Sequence, residues 1–124
     1  MANELHPFKE PGADVTGTTS AAVTGKRCLA ITGNIQADGT LTVAHATAGG
    51  RICGVAKYDA ASGKRVGIAR GPKVVPIAAG GAIAAFAEVE VGANGQVITK
   101  ASGVAIGYVE TAAASGSDAR VNLY

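Results

Sequence analysis

The sequence predicts an all-β protein, a small barrel or sandwich of about nine short strands, behind an extended N-terminal arm. Three observations carry this. Residues 52–70, ICGVAKYDAASGKRVGIAR, return as residues 106–123, IGYVETAAASGSDARVNL, and each copy reads as two short strands joined by an Ala-Ala-Ser-Gly loop. A turn dipeptide and a strand precede each copy: Asp38-Gly39 before residues 40–44, and Asn94-Gly95 before residues 96–100. Asp-Gly and Asn-Gly supply the positive φ angles that tight turns need. Between such turns the apolar residues alternate with polar ones, the period of a half-buried strand.

The repeat covers about 37–70 and 93–124. Gly54, the loop 60–63 and Val66 are answered by Gly107, the loop 113–116 and Val121, with an extra residue placed after the second Ser-Gly.

Taken in order, residues 1–24 hold Pro7, Pro11, Gly12, Gly17 and a run of Thr, Ser and Ala without hydrophobic periodicity. They read as an extended arm with room for a short strand at 15–18. Leu5, Pro7 and Phe8, with His6 among them, form its bulky group, suited to docking on a partner or to folding back on the chain's own domain. The domain proper spans 25–124. Residues 26–31, KRCLAI, form its first strand, with Leu29 and Ile31 on one face; Gly33-Asn34 turns it. Leu41 and Val43 alternate with Thr40 and Thr42, residues 46–50 form a loop, and the first hairpin points Val66 and Ile68 inward. In residues 73–78 Pro76 cannot donate to a ladder, which makes this an edge strand or a bulged one. Residues 79–85 allow a single helical turn at most, because Gly80-Gly81 opposes anything longer. In residues 86–91, Ala87, Val89 and Val91 face one way, and Phe86, Glu88 and Glu90 face water or a partner.

At 124 residues the chain is one domain by size. Of its 48% apolar content Ala alone supplies 26 residues; Leu, Ile, Val and Phe number 27, against no Trp. Such a lean core gains little from burial against the entropy of ordering, so association with copies of itself or with a partner surface is expected to supply part of the stability. A net charge of +2 is too small to imply direct nucleic-acid binding. Its distribution is uneven, with Arg51, Lys57, Lys64, Arg65, Arg70 and Lys73 against Asp59, then Glu88, Glu90, Glu110 and Asp118 against Lys100 and Arg120. Two readings stand: ordinary solvated faces, or inter-subunit edges in which Arg51, Arg65, Arg70 and Lys73 of one copy meet Glu88 and Glu90 of the next.

Cys28 and Cys53 fall in predicted strands without metal-binding spacing and read as free thiols of a reducing compartment. No signal-peptide pattern opens the chain, and the longest uncharged run, 74–87, is broken by Pro76 and two glycines and is too short for a bilayer; synthesis in a cytoplasm, with no membrane partner, is expected.

Catalytic chemistry finds no support. His6 and His45 lack acid or thiol partners at triad or metal spacing, Glu88 and Glu90 have no pocket aromatics beside them, and no glycine stretch follows a phosphate-loop pattern. No enzyme, cofactor or metal is expected.

Several segments together resemble a family. GK before an apolar strand (25–31), GVAxxDAASG-basic-V (54–66), AAGGAIAA (78–85) before a Val strand, NGxV (94–97) and GxAIGYVETAAASG with a closing xVxL (103–123) are similar to the small capsid decoration, or cement, proteins of tailed bacteriophages. One departure is that Phe86-Ala87 stands where the family has a Gly and an acidic residue. The resemblance implies a β-barrel or β-tulip-like domain on the outer surface of a phage head, commonly a homotrimer, binding the major capsid protein and bracing the expanded shell without covalent bonds. It also implies that the N-terminal arm, with Leu5, His6, Pro7 and Phe8, lies across capsid subunits. A surface-exposed virion module recognising carbohydrate or a host surface is the alternative; it would want aromatic platforms, for which Tyr58, Tyr108 and Tyr124 are available.

Overall fold

The structure is a computed structural model and describes residues 14–124. The described residues are all-β, with ten strands in two sets of five. The first set is β1 (Asp14–Thr19), β2 (Cys28–Ile31), β3 (Leu41–His45), β4 (Gly54–Ala56) and β5 (Arg65–Ala69), closed into a barrel in the order β1-β3-β2-β4-β5. β1 joins it on both sides, parallel to β3 and antiparallel to β5. The second set is β6 (Val74–Ala78), β7 (Glu88–Val91), β8 (Val97–Thr99), β9 (Gly107–Val109) and β10 (Asp118–Leu123), ordered β6-β10-β9-β7-β8. β6 ends that sheet, where the missing N–H of Pro76 does no harm. A parallel bridge from Ala79 to Val97 spans the gap between the ends of this second sheet.

The two sets are the same unit used twice. Leu29 lies opposite both His45 and Gly54, and Val89 opposite both Thr99 and Gly107. Val15 faces Ile68 as Val75 faces Val121, and the isolated bridge Val23–Ala60 is repeated as Ile83–Ala113. The repeat is therefore wider than the two hairpins, and spans 14–69 and 74–123. Its register also differs from the sequence reading: Ala56 faces Ile68 as Val109 faces Val121, so Val121 answers Ile68, Ala119 answers Val66, and no extra residue follows the second Ser-Gly. Both loops turn on a glycine in the left-handed region, Gly63 (φ 79°) and Gly116 (φ 82°).

The division at residue 24 is corrected by β1, which contains the strand expected at 15–18 and makes residues 14–24 part of the barrel. Its inward positions are Val15, Gly17 and Thr19, a set with too little apolar character to show as periodicity. Gly17 is small of necessity, since a Cβ there would lie 2.9 Å from Ile68 Cδ1 and Val43 Cγ2. Leu5, His6, Pro7 and Phe8 lie outside the described residues. The helical turn allowed at 79–85 is not formed, because Ile83 is bridged to Ala113; a single 3-10 turn falls instead at Ala93–Gly95, where Asn94 and Gly95 both have positive φ.

Two apolar clusters fill the fold. The first barrel encloses Val15, Val23, Leu29, Val43, Ala56, Val66 and Ile68. The larger cluster holds the interior of the second set, among it Ile77, Val89, Val97, Val109 and Val121, together with Cys28, Ala46, Val55 and Ala69 from the first. Each fully buried Val, Leu or Ile contributes about 1.5–3 kcal/mol, and the cluster shared between the sets joins the halves into one body. Ile31 keeps the face predicted for it but stands 56% exposed, at the strand end where no neighbour covers it. Both cysteines are free; Cys53 precedes β4 rather than lying in a strand, and burial pushes the Cys28 thiol up to about 12. Among the described residues no helix is long and apolar enough to cross a membrane.

Candidate interaction surface

Strand alternation fixes which side chains face out of the second sheet. Glu88, Tyr108 and Asn122 sit side by side on β7, β9 and β10. Phe86 and Tyr124 flank the row, the first 77% and the second 61% exposed. The Phe86 and Tyr108 rings meet edge to face at 5.3 Å, and Tyr108 and Tyr124 are tilted at 6.2 Å. Polar bonds hold the rings in place: Tyr124 donates its hydroxyl to Glu88 (2.6 Å) and Asn122 donates to Tyr108 Oη (3.1 Å). The bond to the Glu88 carboxylate raises the Tyr124 phenol above its ordinary value. Arg120 donates to Glu110 (2.9 Å) at the margin. The result is an aromatic face with an acidic edge; aromatic residues are enriched in protein interfaces, and charged groups belong to their rim.

Phe86 owes its position to backbone conformation. Its φ is 65°, in the left-handed region, and the corresponding residue of the first half, Lys26, has φ 60°. A glycine suits such a turn, and Phe86 adopts the conformation without one. The ring is held out into solvent by the turn. The position was legible only by aligning the halves through their β2 and β7 registers; the hairpin loops alone do not reach it.

The counterpart of this face in the first half is not open. There the residues in register are Cys28, Val55 and Ala69, all buried in the cluster shared with the second half.

The predicted charged residues are scattered. Glu90 is corrected from an exposed edge to a buried position, 6% accessible, where its carboxylate accepts the N–H groups of Ala101 and Gly103 and so shapes the loop before β9. Arg65 pairs with Asp38 at 3.0 Å, and Lys73 shares Asp14 with Lys57 at 2.6 and 2.5 Å. Both lysines hold the Asp14 carboxyl down at about 2. The basic stretch thus takes its acidic partners from far earlier in the chain. Arg51 and Arg70 line a cleft of about 470 Å³ with Ile52, Val104, Ile106 and Tyr124, at the junction of the halves. Glu88 belongs to the aromatic face. Glu88 and Arg65 lie on surfaces left open.

His45 is not simply solvent-exposed. It accepts the Thr24 N–H through Nε2 (2.9 Å), and burial followed by the charge of Arg27 lowers its pKa. Among the described residues no group of three or more His, Cys, Asp or Glu is placed to hold a metal ion.

Comparison with known proteins gives a family and a likeness of fold. The profile of a family described as phage cement protein matches residues 9–123. Among solved structures, the head fiber gp8.5 N base of bacteriophage phi29 superposes with a TM-score of 0.75 over 90% of this chain and 92% of that one, at 21% identity, a likeness of fold. No curated protein matches.

Proposed function

The chain belongs to the phage cement protein family, and from that premise we propose that it is a structural virion protein of the outer head surface. On this reading it binds the major capsid protein and stabilises the expanded shell by clamping neighbouring subunits without covalent bonds. The profile match over residues 9–123 is the observation that carries the proposal.

The geometry supports it. Each half has few unpaired strand edges to open, so the body is a stiff block, and many copies of a modest contact add up where a single copy would not. Synthesis takes place in the host cytoplasm, and the working assembly is a homotrimer. The segment ahead of β1, with Leu5, His6, Pro7 and Phe8, reaches across capsid subunits and adds to a capsid sheet edge. Arg51, Arg70 and Lys73 lie beside the junction of the halves, and with Arg65 and Glu88 they steer subunits into place. No enzymatic step or cofactor enters the proposal.

The test is to add the full chain to expanded heads that lack it and to sediment them. A fixed copy ratio per head, and heads that resist heat or chelator better than bare ones, are expected; absence of co-sedimentation overturns the reading. Leu5→Ala with Phe8→Ala is expected to reduce attachment. The exposed Phe86 and Tyr124, with the half-buried Tyr108, also suit a carbohydrate-binding module, but Phe86 and Tyr108 meet at 82°, which denies a sugar one flat platform. Glycan-array binding without head binding would favour that second reading.

A further inference from the structure

Within one chain the two halves meet one way round. The first half supplies its outer face, with Cys28, Val55 and Ala69 buried. The second supplies an end. Ala78 N–H donates to the Lys26 carbonyl (2.9 Å), Asp118 holds Lys26 Nζ (2.7 Å), the Asn94 carbonyl accepts from Arg27 (3.1 Å), and the Val91 carbonyl accepts the Gly49 N–H (2.8 Å). A two-fold junction would set like against like; this one sets face against end, and so leaves one of each unused.

The unused face is the aromatic one, Phe86, Tyr108 and Tyr124. The unused end follows from the strand correspondence, in which Ala78, Val91 and Asp118 answer to Thr18, Ile31 and Arg65. That end carries the most exposed aliphatic side chains of the first half: Ile31 is 56% and Ile35 65% accessible, beside the Arg65–Asp38 pair. We propose that the aromatic face of one copy receives the Ile31–Ile35 end of a second copy, in the relation the halves already hold inside each chain.

Charge disfavours the competing pairing. At the internal junction the face is basic through Lys26 and the end acidic through Asp118. On the open surfaces the face is acidic through Glu88, since Glu110 is paired with Arg120, and the end presents Arg65 paired with Asp38. The aromatic face therefore repels a second Asp118 end, whereas the Arg65–Asp38 pair leaves the Ile31–Ile35 end no net charge to repel it. Whether successive copies close a ring or form an open row depends on the rotation per step.

The inference rests on the proposed function only in taking copies to associate, and it is tested without heads, so capsid attachment can fail or stand separately. Sedimentation velocity of the full chain over a concentration series is expected to show self-association. Phe86→Asp and Ile31→Asp, each checked for a native circular dichroism spectrum, are each expected to weaken it by more than about tenfold. Mixed one to one, they should form a dimer that grows no further, because each variant keeps the surface the other has lost. Tyr124→Asp with Ile35→Asp repeats the cycle should either first variant misfold. A wild-type chain that stays monomeric at its highest soluble concentration overturns the proposal. So does disruption by Phe86→Asp with none by Ile31→Asp, which would mean face against face, and so does a mixture that fails to dimerise.

Discussion

The two halves share their strand order and register, yet their equivalent outer faces differ completely: Cys28, Val55 and Ala69 on one, Glu88, Tyr108 and Asn122 on the other. The interiors are interchangeable in kind, aliphatic on both sides and built on the same pairs. Duplication therefore fixed the inside, while surroundings decided the outside. A face that meets its own chain is apolar and small, and a face that meets something else keeps polar groups and rings.

The strongest test of this comparison is to damage both interiors at matching points. Ile68→Ala and Val121→Ala remove side chains that are fully buried, and each is expected to cost about 2–5 kcal/mol. Because one cluster joins the halves, both variants should lower a single unfolding transition in calorimetry; two separated transitions would show that the halves are independent. Next comes a buried acid that breaks the likeness. Glu90 corresponds to Ala30, and Glu90→Ala strands the Ala101 and Gly103 donors, a loss of about 1–3 kcal/mol measured by chemical denaturation. Glu90→Gln, which keeps an acceptor, should lose less. The smallest effect separates His45 from its counterpart Thr99. The folded state favours neutral His45, so its pKa lies below that of the unfolded chain, about 6.5. Its contribution is complete above that value and drains away as pH falls through the folded pKa. Melting temperature should therefore decline gently on acidification from pH 7, and His45→Gln should flatten that limb.

The hairpins were legible because their loops carry turn chemistry, with Gly63 and Gly116 at positive φ and apolar alternation on either side. The all-β class and the edge position of the Pro76 strand followed from the same local signals. β1 was legible as a short strand at 15–18, but not its place in the barrel, since its inward residues Val15, Gly17 and Thr19 have too little apolar character to mark a core strand. Glu90 was misread because the groups that make its burial tolerable, two backbone N–H donors, lie more than ten residues further on and leave no trace in side-chain pattern. The aromatic face was half visible. Its tyrosines alternate as an outward set should, but the part played by Phe86 depends on a backbone angle that propensity assigns to glycine.

The order of the strands along the chain sets a timetable for synthesis. A ribosome releases every ladder of the first barrel by Ala69, before any residue of β6 has emerged. From then until Leu123 arrives, the patch of Cys28, Val55 and Ala69 lacks the second half that covers it. A nascent chain whose first 69 residues have emerged should thus be adhesive, and crowded polysomes are where that stickiness would first be seen.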